Sequence, residues 1–137
     1  MGAAGANKAR MRLDVLRRLA LSLPSTRASE QWGGLAFKVE EKVFLFVAVD
    51  GSIAESVVFK CAPTEFDALT EIDGIEQAPY FAKRHWVRLV DPSALKATDL
   101  ERRIKESYEL VVANLPKKVQ AALRSAGASP RGRTRPA

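Results

Sequence analysis

Three segments decide the fold: Leu35-Ala36-Phe37-Lys38-Val39, Val43-Phe44-Leu45-Phe46-Val47-Ala48-Val49 and Glu55-Ser56-Val57-Val58-Phe59-Lys60. In the first, Leu35, Phe37 and Val39 point one way and Ala36 and Lys38 the other, the period of two that marks a strand. The second is apolar throughout and predicts a strand buried on both faces or nearly so. The third sets Glu55, Val57 and Phe59 against Ser56, Val58 and Lys60. Glu40-Glu41 and Asp50-Gly51 are connections too short for a parallel crossover, which needs about a dozen residues, so the three strands must form an antiparallel meander.

Upstream, Leu13, Leu16, Ala20 and Leu23 recur at helical spacing, widened by Val15 and Leu19, and predict a helix over about Lys8–Leu21 that Pro24 stops. Gln31-Trp32-Gly33-Gly34 reads as a turn into the first strand, with Trp32 packing where that turn meets the sheet. Downstream, Pro63 suits the first position of a helix that buries Phe66 and Leu69 and ends near Asp73-Gly74. Ile75–Ala78 predicts a short strand, and Trp86–Val90 another. Asp91-Pro92 reads as an N-cap and first helical position. The clearest helix follows: Thr98 and Glu101 have capping-box spacing, and Leu100, Ile104, Tyr108, Val111 and Leu115 form one apolar stripe. A last short helix carries Val119, Ala122 and Leu123. The expected class is α+β, an antiparallel sheet of about five strands with helices mainly on one face. Residues 1–7 are expected to be a flexible N-terminus, 8–124 a single domain and 125–137 a basic disordered tail.

The chain has 137 residues and a net charge of +6. Residues 1–18 carry +4 and residues 124–137 another +4, which leaves −2 for residues 19–123. The basicity lies at the ends, not across the body. No apolar run approaches the ~20 residues that span a bilayer, so no membrane partner is expected. Cys61 is the single cysteine, which excludes an intramolecular disulfide and suits the cytoplasm. One histidine, one cysteine and scattered acids give no metal-ligand spacing, and no Gly-rich phosphate loop precedes a helix, so no metal and no cofactor are expected. His85 has the chemistry of a general base, and Cys61 or Ser107 that of a nucleophile, but no spacing brings them together. The protein is read as a non-enzyme and a monomer. Tyr108 is expected in the core, its hydroxyl seeking a partner such as His85.

Ala78-Pro79-Tyr80-Phe81-Ala82-Lys83-Arg84-His85-Trp86 interleaves aromatic and cationic side chains. Such residues stack on ligands and neutralise them at surfaces. Further blocks accompany it: Leu23-Pro24 with Trp32-Gly33; Ala36-Phe37-Lys38-Val39; Phe59-Lys60-Cys61; Glu106-Ser107-Tyr108-Glu109-Leu110-Val111; and Leu115-Pro116-Lys117-Lys118. In this order, over about Leu13–Lys118, they resemble the MmcQ/YjbR family of small bacterial proteins. The resemblance implies a frataxin-like (CyaY-like) fold described as a double-wing DNA-binding fold, and DNA as the partner with no defined target sequence. The basic first helix here lacks the acidic ridge of a frataxin-type iron site. On this reading Lys38, Lys60, Lys83, Arg84, Arg88, Lys117 and Lys118 contact phosphates, Tyr80 and Trp86 stack on or wedge between bases, and His85 lies among them. The alternative is a non-enzymatic module that binds a small ligand or protein partner over the same loop.

Overall fold

The computed structural model describes residues 11–128. The meander is present and longer than expected. Strands β2 (Thr26–Gln31), β3 (Gly34–Val39), β4 (Lys42–Asp50) and β5 (Ile53–Lys60) pair in sequence, all antiparallel. Strand β7 (Trp86–Leu89) pairs with β5, and β6 (Ile75–Gln77) closes the edge beyond it. The order across the sheet is β2-β3-β4-β5-β7-β6, which agrees with the expected antiparallel sheet of about five strands and adds one to the five segments read from the sequence. The additional strand is β2, an edge strand whose sequence Thr-Arg-Ala-Ser-Glu-Gln has no apolar alternation to announce it. A two-residue strand β1 (Met11–Arg12) lies on the start of β5.

Helix α1 (Leu13–Leu21) therefore begins later than its apolar pattern suggests, because Met11 and Arg12 are taken up by pairing with Ala54 and Ile53. Leu16 and Ala20 are buried, but Val15, expected on the buried stripe, is half exposed. Helix α2 (Pro63–Thr70) starts on its proline, and Asp91 caps the short turn Pro92–Ala94 by accepting from the Ser93 N–H at 3.0 Å. Helix α3 (Ala97–Val112) begins one residue before Thr98, so Lys96 takes the N-cap position and the Thr98–Glu101 capping box does not form. Helix α4 (Lys117–Ala128) runs four residues into the stretch expected as a tail. Residues 1–10 and 129–137, with the flexible end expected at 1–7, lie outside the described residues.

The four described helices all contribute to one core on one face of the sheet. Leu35, Phe37, Val39, Leu45, Val47, Val57, Phe59, Val87 and Leu89 meet Leu16, Ala20, Phe66, Leu69, Leu100, Ile104, Tyr108, Val111 and Leu123 there. The pairing of β3 with β4 shifts between Phe37 and Lys38, so Phe44 is an extra residue opposite them. That bulge lets Phe44 and Leu45, neighbours in sequence, both be fully buried. Ser107 of α3 answers it: its hydroxyl donates to the Phe44 carbonyl at 2.6 Å and accepts from the Lys60 N–H at 2.8 Å. The Phe44 ring meets Tyr108 edge-on, centroids 5.3 Å apart. The Tyr108 hydroxyl donates to the Pro24 carbonyl at 2.7 Å, not to His85. Arg103, partly buried, pairs with Glu65 of α2 and, at 3.1 Å, with Glu106 of its own helix.

Two stability outcomes follow from this packing. Ser107→Ala strands a buried carbonyl and a part-buried N–H, so urea denaturation should show a loss of about 1–3 kcal/mol for the carbonyl and less for the N–H. Ile104→Ala, a core truncation in the same helix, should cost ~2–5 kcal/mol. Burial raises the Tyr108 hydroxyl from 10.0 to about 12, with the Glu109 charge adding to the effect. The folded state then keeps a proton that the unfolded chain releases. Stability should fall as pH rises from about 10 towards about 12, and Tyr108→Phe should flatten that decline in a pH series of melting temperatures.

Candidate binding groove on the open face of the sheet

Among the described residues, no helix lies on the sheet's other face. Strand alternation places Ala36 and Lys38, Phe46 and Ala48, Ser56, Val58 and Lys60, and Trp86 and Arg88 on it. Phe46, Ala48, Ser56 and Val58 floor a groove of about 610 Å³. Trp32 forms one wall, Pro79, Tyr80 and Phe81 the other, and Arg88 lies along it. Strand β4 is thus apolar on both faces as its sequence predicts, but only one of those faces is covered by helices.

Both aromatic walls sit on energetically costly backbone. Trp32 (φ 51°) and Gly33 (φ 78°) make the two-residue turn between β2 and β3, with both residues in the left-handed region. Trp32 is 77% exposed, its ring 5.8 Å from that of Phe46. It is not the packed structural residue that its place at the head of the sheet suggests. Gly34 makes the close approach possible: a Cβ there would lie 2.2 Å from the Val47 carbonyl oxygen and 2.9 Å from the Phe46 ring. Tyr80 (φ 70°) is fully exposed. Its loop is tied at both ends by Gln77, whose side chain donates to the Ala78 carbonyl at 2.7 Å and accepts from the Arg84 N–H at 3.0 Å. Phe81 packs on Trp86 with centroids 4.8 Å apart, fixing the loop against β7.

The residues singled out in the sequence divide between the two sides of the domain. Lys38, Lys60, Trp86 and Arg88 are half-buried on the open face, and Tyr80 stands over it. Arg88 is held by Glu76 across the β6–β7 pair. Arg84 belongs to the helix side: its guanidinium lies over the Phe66 ring at 5.1 Å and pairs with Asp67 of α2 at 3.1 Å. Lys83 is exposed and makes no ion pair among the described residues. His85 is held through its main chain, its carbonyl accepting from the Cys61 N–H at 2.8 Å. Lys117 and Lys118 are exposed in the first turn of α4, the end of a helix where cations are disfavoured. Trp32, Phe46, Val58 and Phe81 were not candidates. The signal for Phe46 lies in the apolar run Val43–Val49, which has more apolar face than one layer of helices can cover, and that for Phe81 in the aromatic stretch Ala78–Trp86 itself.

The candidate nucleophiles are built into the interior. Ser107 is fully buried, with its hydroxyl engaged on both sides. Cys61 is buried, and desolvation pushes its thiol up to about 11. Among the described residues, no three His, Cys, Asp or Glu side chains gather as a metal site, and no helix is long and apolar enough to cross a membrane.

These features define an α+β domain with one helix-covered sheet face and one face bearing an aromatic groove. Residues 21–110 match the YjbR family model, and the chain belongs to that family. The fold is shared with a Deinococcus radiodurans protein containing the DUF419 domain: the TM-score is 0.75 over 90% of this chain and 96% of that one, at 19% identity. A protein from Pseudomonas syringae gives 0.59 over 73% of this chain and 98% of its own, also at 19% identity. At such identity the likeness is one of fold. No curated protein matches the chain.

The thiol is a direct check on this interior. Cys61 in the folded protein at pH 8 should resist a disulfide-exchange reagent and react fully once denaturant is added, because the thiolate is the reactive form. Prompt modification without denaturant would contradict its burial.

Proposed function

We propose that the helix-free face of the sheet is a binding surface and that it takes DNA without sequence preference, as single strands. The observation that carries this reading is the pair Trp32 and Tyr80, exposed on opposite walls of one apolar groove and each held at a positive φ. Backbone strain kept at exposed aromatics points to a role in contact rather than packing. Unpaired bases offer planar faces to such residues, each stacked base contributing ~1–3 kcal/mol. Lys38 and Lys60 lie on the same face for phosphate contacts. Arg84 and Arg88 contribute less, since Asp67 and Glu76 already neutralise them. A duplex keeps its bases stacked and would present mainly phosphates. The DNA-binding role implied by the family resemblance agrees with this reading.

A second reading is favoured by one observation: the groove lining is mostly carbon, and the arginine beside it is paired. That suits an apolar small ligand or a partner protein's side chain. Both readings are non-enzymatic and fit a monomer in the cytoplasm.

A salt series of binding to an oligothymidylate and to random duplex separates them. On the DNA reading the single strand binds more tightly. Tyr80→Ala weakens its binding about fivefold or more, and Lys38→Ala with Lys60→Ala lowers the salt slope by about 1–1.5 units, near 0.7 per phosphate contact on single strands. Affinity and slope unchanged in all these variants would reject DNA at this face and leave the apolar-ligand reading.

A further inference from the structure

A second concavity is lined by Trp86, on which the groove's Phe81 packs, and is bounded by β4, β5, β7 and the C-terminal end of α3. We infer that this notch is a binding site for an organic phosphate, with the phosphate between Lys42 and Lys60 and a planar ring against Trp86. The notch encloses about 340 Å³ and is lined by Lys42, Val43, Lys60, Trp86, Val111 and Asn114, with Leu115 at its end. That is the low end of ligand-pocket sizes and fits a single ring with its phosphate.

The topology builds the charge. Lys42 begins β4 and Lys60 ends β5, and because those strands are antiparallel neighbours both lysines come to the same end of the sheet. Lys60 sits directly opposite Trp86 in the β5–β7 pair. No acid lines the notch, and neither lysine makes an ion pair among the described residues. The α3 C-terminus supplies roughly half a negative charge. Two ammonium groups exceed that about fourfold, and α4 begins only two residues after Leu115 with its own positive end and Lys117. The notch therefore keeps an excess of positive charge that an anion would balance.

The remaining walls specify what carries the anion. Val43 and Val111 are apolar, and the Trp86 indole is braced from behind by Phe81 at 4.8 Å, a rigid platform for a ring. Asn114 uses its amide N–H₂ weakly, on the Leu110 carbonyl at 3.4 Å, which leaves its oxygen for a donor on the ligand. Phe81 lines the groove and Trp86 the notch; Lys60 serves both readings, whereas Lys42 belongs to the notch alone, so the Lys42 variants test the notch apart from the groove.

The test uses the full chain with Trp32→Asn, which leaves Trp86 as the sole indole, and follows its N–H resonance. Phenyl phosphate should give a saturable shift, with affinity about tenfold or more above that of phenol or inorganic phosphate alone. Lys42→Ala should weaken it about tenfold, and Lys42→Arg should restore most of the loss, while Tyr80→Ala leaves it unchanged. A mononucleotide compared with 5′-phosphorylated and unphosphorylated oligothymidylate then tells a free ligand from a strand end. Absence of a saturable shift into the millimolar range, or equal binding in Lys42→Ala, would overturn the site. Loss of oligothymidylate binding in Tyr80→Ala made on the chain that keeps Trp32, with phenyl phosphate binding intact, would support the groove and the notch separately.

Discussion

One hydroxyl holds two problems together. The bulge in β4 buries Phe44 and Leu45 side by side, and its cost is a backbone carbonyl turned out of the ladder. Ser107 takes that carbonyl and, with its lone pairs, the N–H of Lys60 at the end of β5. The same oxygen thus fixes the position of α3 along the sheet, because only one point on the helix can reach both strands. The apolar stripe from Leu100 to Val112 buries its side chains against the sheet, but an apolar stripe tolerates sliding. A buried hydrogen bond with two partners does not. Tyr108, one residue further on, reaches the Pro24 carbonyl and adds a second fixed point, tying α1's exit loop to the same helix.

With the described helices all on one side, the opposite sheet face is free to be something other than core. Its floor is apolar because β4 cannot be polar on that side and still supply Phe46, and its walls are the two places where the chain accepts left-handed backbone at an aromatic residue. The stability of the domain and the shape of the groove therefore come from separate faces of the same strands. A substitution on the groove face leaves the core cluster intact, which is the usual arrangement when a rigid scaffold positions a site built partly on loops.

The fold was largely legible because its long elements obey simple periods. The meander, the proline start of α2, the Asp91 cap and the stripe of α3 all follow from local pattern. Strand β2 was hidden because an edge strand with a polar sequence gains its structure from pairing with β3, which no local period reveals. The site was half legible. The aromatic and cationic residues between Tyr80 and Arg88 are close in sequence, yet Arg84 is drawn over Phe66 to the helix side while Arg88 follows strand alternation to the open face. Trp32 lies far from that stretch and meets it only through the width of the sheet. Charge neutralisation by Asp67 and Glu76 depends on tertiary neighbours and could not be read from the segment itself.

The Gln77 staple has a kinetic side. By bonding to Ala78 at one end of the loop and to Arg84 at the other, one side chain fixes both ends of the segment that carries Tyr80. A ligand arriving at the groove meets a surface that is already formed, so it does not have to pay for ordering a segment. Capture at such a surface is a single bimolecular event limited by encounter and orientation rather than by loop closure. Release of a ligand bound on such a surface would be set by the contacts made in the groove rather than by reopening of the Tyr80 loop.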